Sequence, residues 1–405
     1  MHLNNELLIK LGKKYGTPLY VYDGDLIIKR YKELLSCFKW PKTKLYFAVK
    51  CNYNPNILKI LCEQGANIDA VSFGEVHMAL KCGFIAGQIM YTANSLSDRD
   101  AKEGIKLGVL FNIGSLSELE RYGKLSPNSK VCLRINPNVV AADIKTNRTG
   151  GKNSKFGVQM KDIGKAKEIA KKYNLEIIGL HEHTGSGVSE VGKAYEATEK
   201  LLSIAKKEHF PELEFIDFGG GFTVPYEPNE NRIDYANFGN AISKRFREFC
   251  REYGRELSLY FEPGRYIVAE SGTLVVRVNT LKNNDGLLFA AVDSGFPQLI
   301  RPAFHGSYHH IINLSNPKGK AGEYNICGNI CENSDYFAFG RPIAEIREGD
   351  YLAIQTAGAY CYAMGGVYNL FSMPAEVIVA DGKDAISRRR LSSEELVNKI
   401  LEECE

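Results

Sequence analysis

Long hydrophobic segments and cysteine motifs are both missing from this sequence of 405 residues. The chain has no run of about 18 apolar residues, so a membrane-spanning helix is not expected. The ten cysteines are scattered without a CxxC pair, which argues against a zinc finger and against a disulfide framework. Residues 1–12 lack the apolar core of a secretory signal. Together these absences predict a protein of the reducing cytoplasm.

A strong excess of charge of either sign is also absent. The chain has 51 Lys and Arg residues against 48 Asp and Glu residues, and its formal net charge is only +3. Because the basic residues are dispersed, we expect neither nucleic-acid binding nor attachment to an anionic membrane. The hydrophobic fraction of 44% is that of an ordinary globular protein.

Short apolar runs alternate with amphipathic stretches between residues 44 and 262. The runs are rich in Val, Ile, Leu, Phe and Tyr and predict strands that are buried on both faces. Eight such units predict an α/β fold in which eight parallel strands close into a TIM-like β/α barrel. The predicted strands are 44–50, 66–72, 88–93, 109–114, 130–136, 176–183, 214–221 and 257–263. The predicted helices include 54–65, 74–83, 115–123, 162–174, 194–208 and 236–254.

An open, doubly wound sheet is the alternative to a barrel. Such a sheet usually has a glycine-rich turn after its first strand, whereas Lys50 is followed here by Cys-Asn-Tyr-Asn. The barrel is therefore the favoured prediction.

The pattern changes near residue 265, where short β-type runs separated by turn residues predict an all-β domain of sandwich-like or barrel-like form. No helix is expected in this part until the end of the chain. The isolated strand 18–23 is expected to join the same sheet. We assign 26–265 to the barrel, and 1–25 and 266–405 to a discontinuous β domain. The β-type runs are 272–282, 287–293, 323–331, 350–360 and 375–382.

Chemically active residues lie at the ends of several predicted barrel strands, where ligand sites of such barrels are found. Taken singly, each has an ordinary explanation: a strand-end lysine is usually solvated, and three glycines can form a mobile loop. Their joint placement is more specific. The residues are Lys50, Arg134, His183, Ser186, Gly219, Gly220, Gly221, Glu262 and Arg265.

These residue types suit pyridoxal phosphate. The cofactor requires an amine for a Schiff base, and Lys50 provides one. Its phosphate requires a hydroxyl, such as that of Ser186, and backbone donors, which a glycine-rich turn leading into a helix at 219–221 would offer. Its pyridine nitrogen requires an acid, for which Glu262 is placed, and the His183 ring can support the cofactor ring.

A pair of histidines raises the alternative of a metal site. His181 and His183 lie on one face of a predicted strand, but no third ligand has a matching spacing. His309 and His310 are interpreted as surface or packing residues. We therefore predict no metal.

Eleven short motifs follow one another along the chain. With them the chain resembles the alanine-racemase-like, fold-type III pyridoxal-phosphate enzymes over nearly its whole length, and within these the diaminopimelate decarboxylases. The motifs are FAVK (47–50), SFGE (72–75), RINPN (134–138), SKFG (154–157), HTGSG (183–187), DFGGGF (217–222), EPGR (262–265), IRPAFHGSYHH (300–310), CENSD (331–335), GAY (358–360) and VYN (367–369).

The resemblance implies how this chain would hold the cofactor. Lys50 resembles the lysine of the Schiff base, His183 the ring-stacking residue and Glu262 the partner of the pyridine nitrogen. Four further positions resemble phosphate ligands, and Gly219 belongs to the same glycine motif. These positions are Ser186, Gly220, Gly221 and Tyr360.

The resemblance also implies how a substrate is held. Arg265 and Arg301 resemble ligands of a distal carboxylate, and His305 and Tyr360 stand at expected substrate contacts. Cys331 and Glu332 would reach the site from a partner subunit, which implies a homodimer with shared active sites. Cys331 or Lys50 would return a proton to the substrate, and the sequence leaves both open.

The implied activity is the pyridoxal-phosphate-dependent decarboxylation of meso-2,6-diaminopimelate to L-lysine and CO2. The chain departs from the usual family pattern at His305, where Tyr is common, and at Leu370 and Phe371, where Ser-Arg is common. Cys51 also replaces a common Ala.

A decarboxylase of ornithine, arginine or a carrier-bound acid is the main alternative. A racemase and a non-catalytic cofactor-binding protein are less favoured, because Lys50, Cys331 and the glycines are all present.

Overall fold

The chain forms two compact units. The barrel unit comprises Arg30–Thr223 and Ile233–Tyr266, and the sheet unit comprises Met1–Lys29, Val224–Arg232 and Ile267–Glu405. Ser186 lies outside the described residues. None of the helices in the described parts of the chain has the length and apolar character needed to cross a membrane. The structure, a computed structural model, describes residues 3–92, 94–139, 151, 153–185 and 191–404.

Helices and strands within the described residues are numbered here in chain order. The strands are β1 (Leu19–Asp23), β2 (Thr43–Ala48), β3 (Asn67–Ala70), β4 (Ile89–Tyr91), β5 (Leu110–Ile113), β6 (Lys130–Asn136), β7 (Val158–Gln159), β8 (Glu176–His181), β9 (Phe215–Asp217), β10 (Ser258–Phe261), β11 (Gly272–Asn284), β12 (Leu287–Val292), β13 (Ile311–Asn313), β14 (Ala321–Cys327), β15 (Tyr336–Ala344), β16 (Tyr351–Ile354), β17 (Ala375–Ala380) and β18 (Lys383–Arg388). The helices are α1 (Asn5–Tyr15), α2 (Gly24–Cys37), α3 (Pro55–Glu63), α4 (Phe73–Lys81), α5 (Asp98–Leu107), α6 (Leu116–Leu125), α7 (Ile163–Tyr173), α8 (Val191–Ile204), α9 (Tyr235–Tyr253), α10 (Arg265–Val268), α11 (Arg301–His305) and α12 (Ser393–Glu402).

Parallel strands close into a barrel in the barrel unit. Their spatial order is β5, β4, β3, β2, β10, β9, β8 and β6, and β6 pairs back with β5. All eight correspond to predicted strands, so the predicted β/α barrel is confirmed. Side chains of neighbouring strands fill the interior, with the rings of Phe215 and Tyr260 stacked at 4.5 Å between centroids.

Polar side chains cap helices α3 and α4, each of which follows a barrel strand directly. Asn54 accepts hydrogen bonds from the backbone N–H groups of Asn56 and Ile57, and Pro55 occupies the first turn of α3. Ser72 caps α4 in the same way. Each short loop therefore carries its chain directly from the carboxyl end of a strand into a helix, which leaves the strand ends to carry functional side chains.

The sheet unit is built on a mixed sheet with the order β15, β14, β12, β11, β1, β17 and β18. β1 lies between β11, with which it is antiparallel, and β17, with which it is parallel. The prediction that residues 18–23 join the later strands is therefore correct. Helix α1 packs Leu8 and Leu11 against this sheet. The expectation of no helix between about residue 265 and the end of the chain is wrong for the short helices α10 and α11.

Candidate active site

Lys50 lies just beyond β2, in a short 3-10 turn at Val49–Cys51. Its Nζ donates a hydrogen bond of 2.8 Å to Oδ2 of Asp69, and the Lys50 side chain is 38% exposed while Asp69 is fully buried. Strand pairing explains the contact, because Ala48 of β2 stands opposite Asp69 of β3. The amine is thus held at the carboxyl end of the barrel by a neighbouring strand.

Glu262 follows β10 and is buried beside two groups from adjacent strands. Its Oε2 lies 3.1 Å from Nε2 of His181, and its Oε1 is buried without a hydrogen-bond partner among the described residues. His181 stands opposite Asp217 in the pairing of β8 with β9. Burial raises the pKa of Glu262, while the charges of Lys50 and Arg134 oppose that rise.

Arg134 provides a second buried cation in this part of the barrel. It lies on β6 opposite His181 of β8, and its guanidinium stands 4.6 Å from the centre of the Phe156 ring. Burial lowers the pKa of Arg134, and the carboxylates around it, led by Glu262 and Asp69, work in the opposite direction. Arg134 and Lys50 therefore balance part of the acidic charge at the strand ends.

His183 contacts the glycine turn that follows β9. Its Nδ1 accepts a hydrogen bond of 3.1 Å from the backbone N–H of Gly220. An imidazole nitrogen that accepts a hydrogen bond carries no proton, and burial accordingly lowers the pKa of His183 well below its usual value. The contact fixes the His183 ring next to the turn as a neutral imidazole.

The turn at Gly219–Gly221 requires glycine. Gly219 and Gly221 have φ values of +64° and +104°, which other residues rarely adopt. A Cβ atom on Gly219 would stand 2.5 Å from the carbonyl oxygen of Glu182, and one on Gly220 would clash with the carbonyl oxygen of Glu262. The turn is therefore a tight junction between the ends of β8, β9 and β10.

The expectation that this glycine turn leads into a helix is wrong. The next helix, α9, begins at Tyr235, so no helix N-terminus lies at the turn. The N–H of Gly219 donates to Oδ1 of Asp217, and that of Gly220 donates to His183. Among the described residues, the N–H of Gly221 is the one of the three without a protein acceptor. Any phosphate bound here would thus be held mainly by groups other than a helix terminus.

The barrel end fits pyridoxal phosphate on its chemistry. The unpartnered Oε1 of Glu262 is a buried acceptor suited to a protonated pyridine nitrogen. Lys50 supplies a partly exposed amine, and its charge acts on both Glu262 and His183. The Lys50 amine, the Glu262 acid and the His183 imidazole thus lie at the same end of the barrel, as the sequence predicts. Their roles in binding the cofactor remain predictions.

Arg301 belongs to the sheet unit, at the start of α11. It is buried, and its Nη1 lies 3.2 Å from Nε2 of His309. The carbonyl oxygen of Gln355 accepts a 2.9 Å hydrogen bond from Nδ1 of His309, so the Nε2 atom carries the lone pair that faces Arg301. The Arg301 guanidinium also stands 4.6 Å from the centre of the Tyr226 ring. His309 is therefore a buried positioning group, in keeping with its interpretation as a packing residue.

Cys331 and Glu332 lie on an exposed loop of the sheet unit. The backbone N–H of Cys331 donates to Oδ1 of Asn369 over 3.2 Å, and the buried carboxylate of Asp335 accepts from the N–H groups of Ile330 and Phe296. Asp335 and Asn369 therefore hold the loop while leaving Cys331 exposed.

The remaining predicted residues have local settings of their own. Tyr360 adopts a φ of +58°, a conformation that a bulky residue rarely takes without support from its surroundings. His305 ends α11, with its ring 4.6 Å from that of Phe304. Arg265 begins α10 three residues after Glu262, and its charge lowers the raised pKa of the buried Cys51 thiol.

Asp69 and Asp217 were missed as candidate site residues, and His181 was considered only for a metal site that was set aside. A usable signal existed, because each is a charged or titratable residue within an otherwise apolar run that predicts a barrel strand. A polar group in such a run must lie at an end of the barrel or be paired inside it.

Comparison with known proteins agrees with this geometry. Residues 25–269 match the family described as pyridoxal-dependent decarboxylase, pyridoxal binding domain. The chain is 39% identical to a diaminopimelate decarboxylase of Methanothermobacter thermautotrophicus, with 96% of this chain and 92% of the relative covered. It is 32% identical to that of Escherichia coli K12, with 98% and 96% covered. The chain belongs to the diaminopimelate decarboxylase family.

A solved structure extends the comparison to three dimensions. The diaminopimelate decarboxylase of Helicobacter pylori in complex with L-lysine superposes with a TM-score of 0.90 at 31% identity, with 98% of this chain and 99% of that chain covered. The predicted fold class, the pyridoxal-phosphate cofactor and the decarboxylase class are confirmed. The individual residue roles and the domain limits remain predictions.

Proposed function

We propose that this chain decarboxylates meso-2,6-diaminopimelate to L-lysine and CO2. The observation that carries the proposal is the convergence of the Lys50 amine with buried Glu262 and neutral His183 at the carboxyl ends of the barrel strands. The relatives that match nearly the whole of this chain bear the name of the same activity.

Pyridoxal phosphate, when bound, supplies an aldehyde that captures amines and a ring that accepts the electron pair left by departing CO2. Around that group the chain's own residues have distinct tasks. Asp69 orients the Lys50 amine by accepting a hydrogen bond from its Nζ. Glu262 would present a carboxylate to the pyridine nitrogen, where its negative charge would stabilise the protonated nitrogen. His183 supports the ring as a neutral group.

Arg301 is proposed to bind the distal carboxylate of the substrate. A guanidinium can meet a carboxylate with two parallel hydrogen bonds, a geometry that lysine cannot provide. His309 and Tyr226 hold this guanidinium in place, which reduces the entropy lost when it engages a substrate. Arg265 is proposed as a second ligand, and His305 and Tyr360 as neighbours of the substrate.

A homodimer with shared active sites is also proposed. The exposure of Cys331 and Glu332 supports this, since both could enter the site of a partner subunit. Cys331 would return a proton to the substrate carbon, with Lys50 as the other candidate acid. Glu332 would receive the distal ammonium group. The cytoplasmic location stays a prediction from the sequence.

The deciding experiment measures CO2 release from purified protein with a panel of amino acids. We expect turnover of meso-diaminopimelate and little turnover of its stereoisomers, lysine, ornithine or arginine. Lys50→Ala should lose both CO2 release and the visible absorbance of the lysine-bound cofactor, whereas Lys44→Ala, an exposed lysine on β2, should keep both. Preferred turnover of ornithine or arginine would instead assign the chain to the alternative substrates.

A further inference from the structure

Asp217 lies at the end of β9 and is fully buried. Its Oδ1 accepts a hydrogen bond of 2.8 Å from the N–H of Gly219, and its Oδ2 is buried without a partner among the described residues. One polar atom from each of Asp217, Glu262 and His181 lies within 4.8 Å of the other two. Asp217 therefore connects the glycine turn with the acid that is proposed to face the pyridine nitrogen.

Two carboxyl groups this close in a dry interior do not both ionise. The proton that the two carboxyls retain goes to the carboxyl whose charged form is less stabilised by nearby cations. Lys50 and Arg134 both lower the pKa of Glu262. Burial and the nearby charges of Glu262 and other acids raise the pKa of Asp217 well above its usual value. The titratable groups around Asp217 are Tyr46, Asp69, Cys132, Arg134, His181, Glu182, Tyr260 and Glu262.

His181 gives independent support for a charged Glu262. Burial lowers the pKa of His181 well below its usual value, so the ring is neutral and carries one N–H. Its Nδ1 is buried without a partner among the described residues, while its Nε2 lies 3.1 Å from Glu262. Placing the hydrogen on Nε2 lets the ring donate to a Glu262 carboxylate. Placing it on Nδ1 would leave a buried donor unsatisfied.

We propose that Asp217 holds the proton shared by the two carboxyls and thereby keeps Glu262 as the carboxylate that meets the cofactor ring. This inference rests on the proposed role of Glu262. Asp217 acts through Glu262 and through Gly219, so it is a positioning residue that joins the ring end of the site to the glycine turn.

The first test uses the cofactor-free protein and infrared spectroscopy of protonated carboxyl groups. The band of one buried, protonated carboxyl should disappear in Asp217→Asn and persist in Glu262→Gln. Loss of the band in Glu262→Gln alone would place the proton on Glu262 and overturn the proposal.

A second measurement needs no variant at these acids. Nitrogen NMR of histidine-labelled wild-type protein, assigned with His181→Gln, should show that His181 is the Nε2–H tautomer. Finding the Nδ1–H tautomer would contradict the proposal.

The second test compares two replacements of Asp217 by their affinity for pyridoxal phosphate. Asparagine keeps an oxygen for Gly219 and mimics the protonated acid, so its dissociation constant should stay within about threefold of wild type. Alanine leaves the Gly219 N–H without an acceptor, which should weaken binding by about tenfold or more. Equal losses in both variants would mean that a charged Asp217 is needed.

The two tests separate this inference from the proposed function. Wild-type protein that fails to release CO2 would defeat the proposed function, while the infrared band and the His181 tautomer would still locate the proton. A stoichiometric metal ion in the purified wild-type protein, lost in Asp217→Asn, would overturn the inference, because it would occupy the place assigned to the proton.

Discussion

Glu262 lies where buried acids outnumber the nearby cations. We expect its negative charge, and not only its size, to be needed for activity. Glu262→Gln keeps the volume but removes the charge proposed to stabilise electron flow into the ring. We expect kcat for CO2 release to fall by about 100-fold to 1,000-fold, as when one preorganised electrostatic group is lost, while cofactor binding largely persists.

Kinetics and cofactor stoichiometry measured on the same preparation would check this expectation. Glu182→Gln is the matched control, because Glu182 is also a buried acid of the barrel unit but has no proposed catalytic role. Similar kcat values in Glu262→Gln and wild type would remove Glu262 from the mechanism.

The buried acid Glu182 should make the stability of the folded protein depend on pH. Burial raises its pKa from 4.5 to about 8, and its Oε2 has no partner among the described residues. Because the folded pKa exceeds the unfolded one, the folded state binds more protons, and the free energy of unfolding falls as pH rises from 4.5 through 8. Glu182→Gln should remove part of this fall, by at most about 4 kcal/mol.

Urea unfolding of the cofactor-free protein at pH 5 and pH 9 would measure the difference. Glu176→Gln, at the exposed start of β8, provides the control and should leave the pH dependence unchanged. A fall of equal size in wild type and Glu182→Gln would show that Glu182 ionises without penalty in the folded protein.

At the scale of elements, the barrel strands could be predicted because both of their faces are buried, which leaves an almost continuous apolar run. Helix α5 was not among the predicted helices, because its buried residues are the small Ala101 and Gly104 and therefore give no apolar periodicity. Gly104 lies against the Phe111 ring, where any Cβ would clash. Close helix packing through small residues leaves little trace in a hydrophobic pattern.

Edge strands of the sheet unit escaped prediction for a different reason. β15 contains Gly340 and Pro342, which usually interrupt a strand but are tolerated at the edge of a sheet. β18 is mostly polar because, at the opposite edge, much of it is exposed. The site was predicted where residues follow strands, as Lys50 and Glu262 do, and missed where a polar residue such as Asp69 lies inside one.

The turn after β9 carries Gly220 and Gly221, which are predicted to be phosphate ligands. Gly219→Ala places a Cβ 2.5 Å from the Glu182 carbonyl oxygen at a φ of +64°. We expect the free energy of unfolding to fall by about 1–3 kcal/mol, together with weaker retention of pyridoxal phosphate. Gly87→Ala, which has open space around its Cβ, should match wild type in both measurements. Unchanged cofactor retention in Gly219→Ala would show that the turn tolerates distortion.

At the scale of the whole molecule, the proposed homodimer assigns Lys50 and Cys331 of each site to different subunits. Mixing, unfolding and refolding Lys50→Ala with Cys331→Ala protein should therefore restore activity. Half of the dimers formed would be mixed, and one of the two sites in each mixed dimer would hold both native residues. The expected CO2 release is about one quarter of wild type, given twofold symmetry.

Each variant refolded alone is the control and should remain impaired. No gain in activity on mixing would mean that Lys50 and Cys331 of the same chain serve one site, so that the subunits do not share their active sites. A Cys331→Ala dimer with full activity would assign the returned proton to Lys50, since the amine would then be the remaining candidate acid. The complementation thus tests the subunit arrangement and the choice of acid in one set of assays.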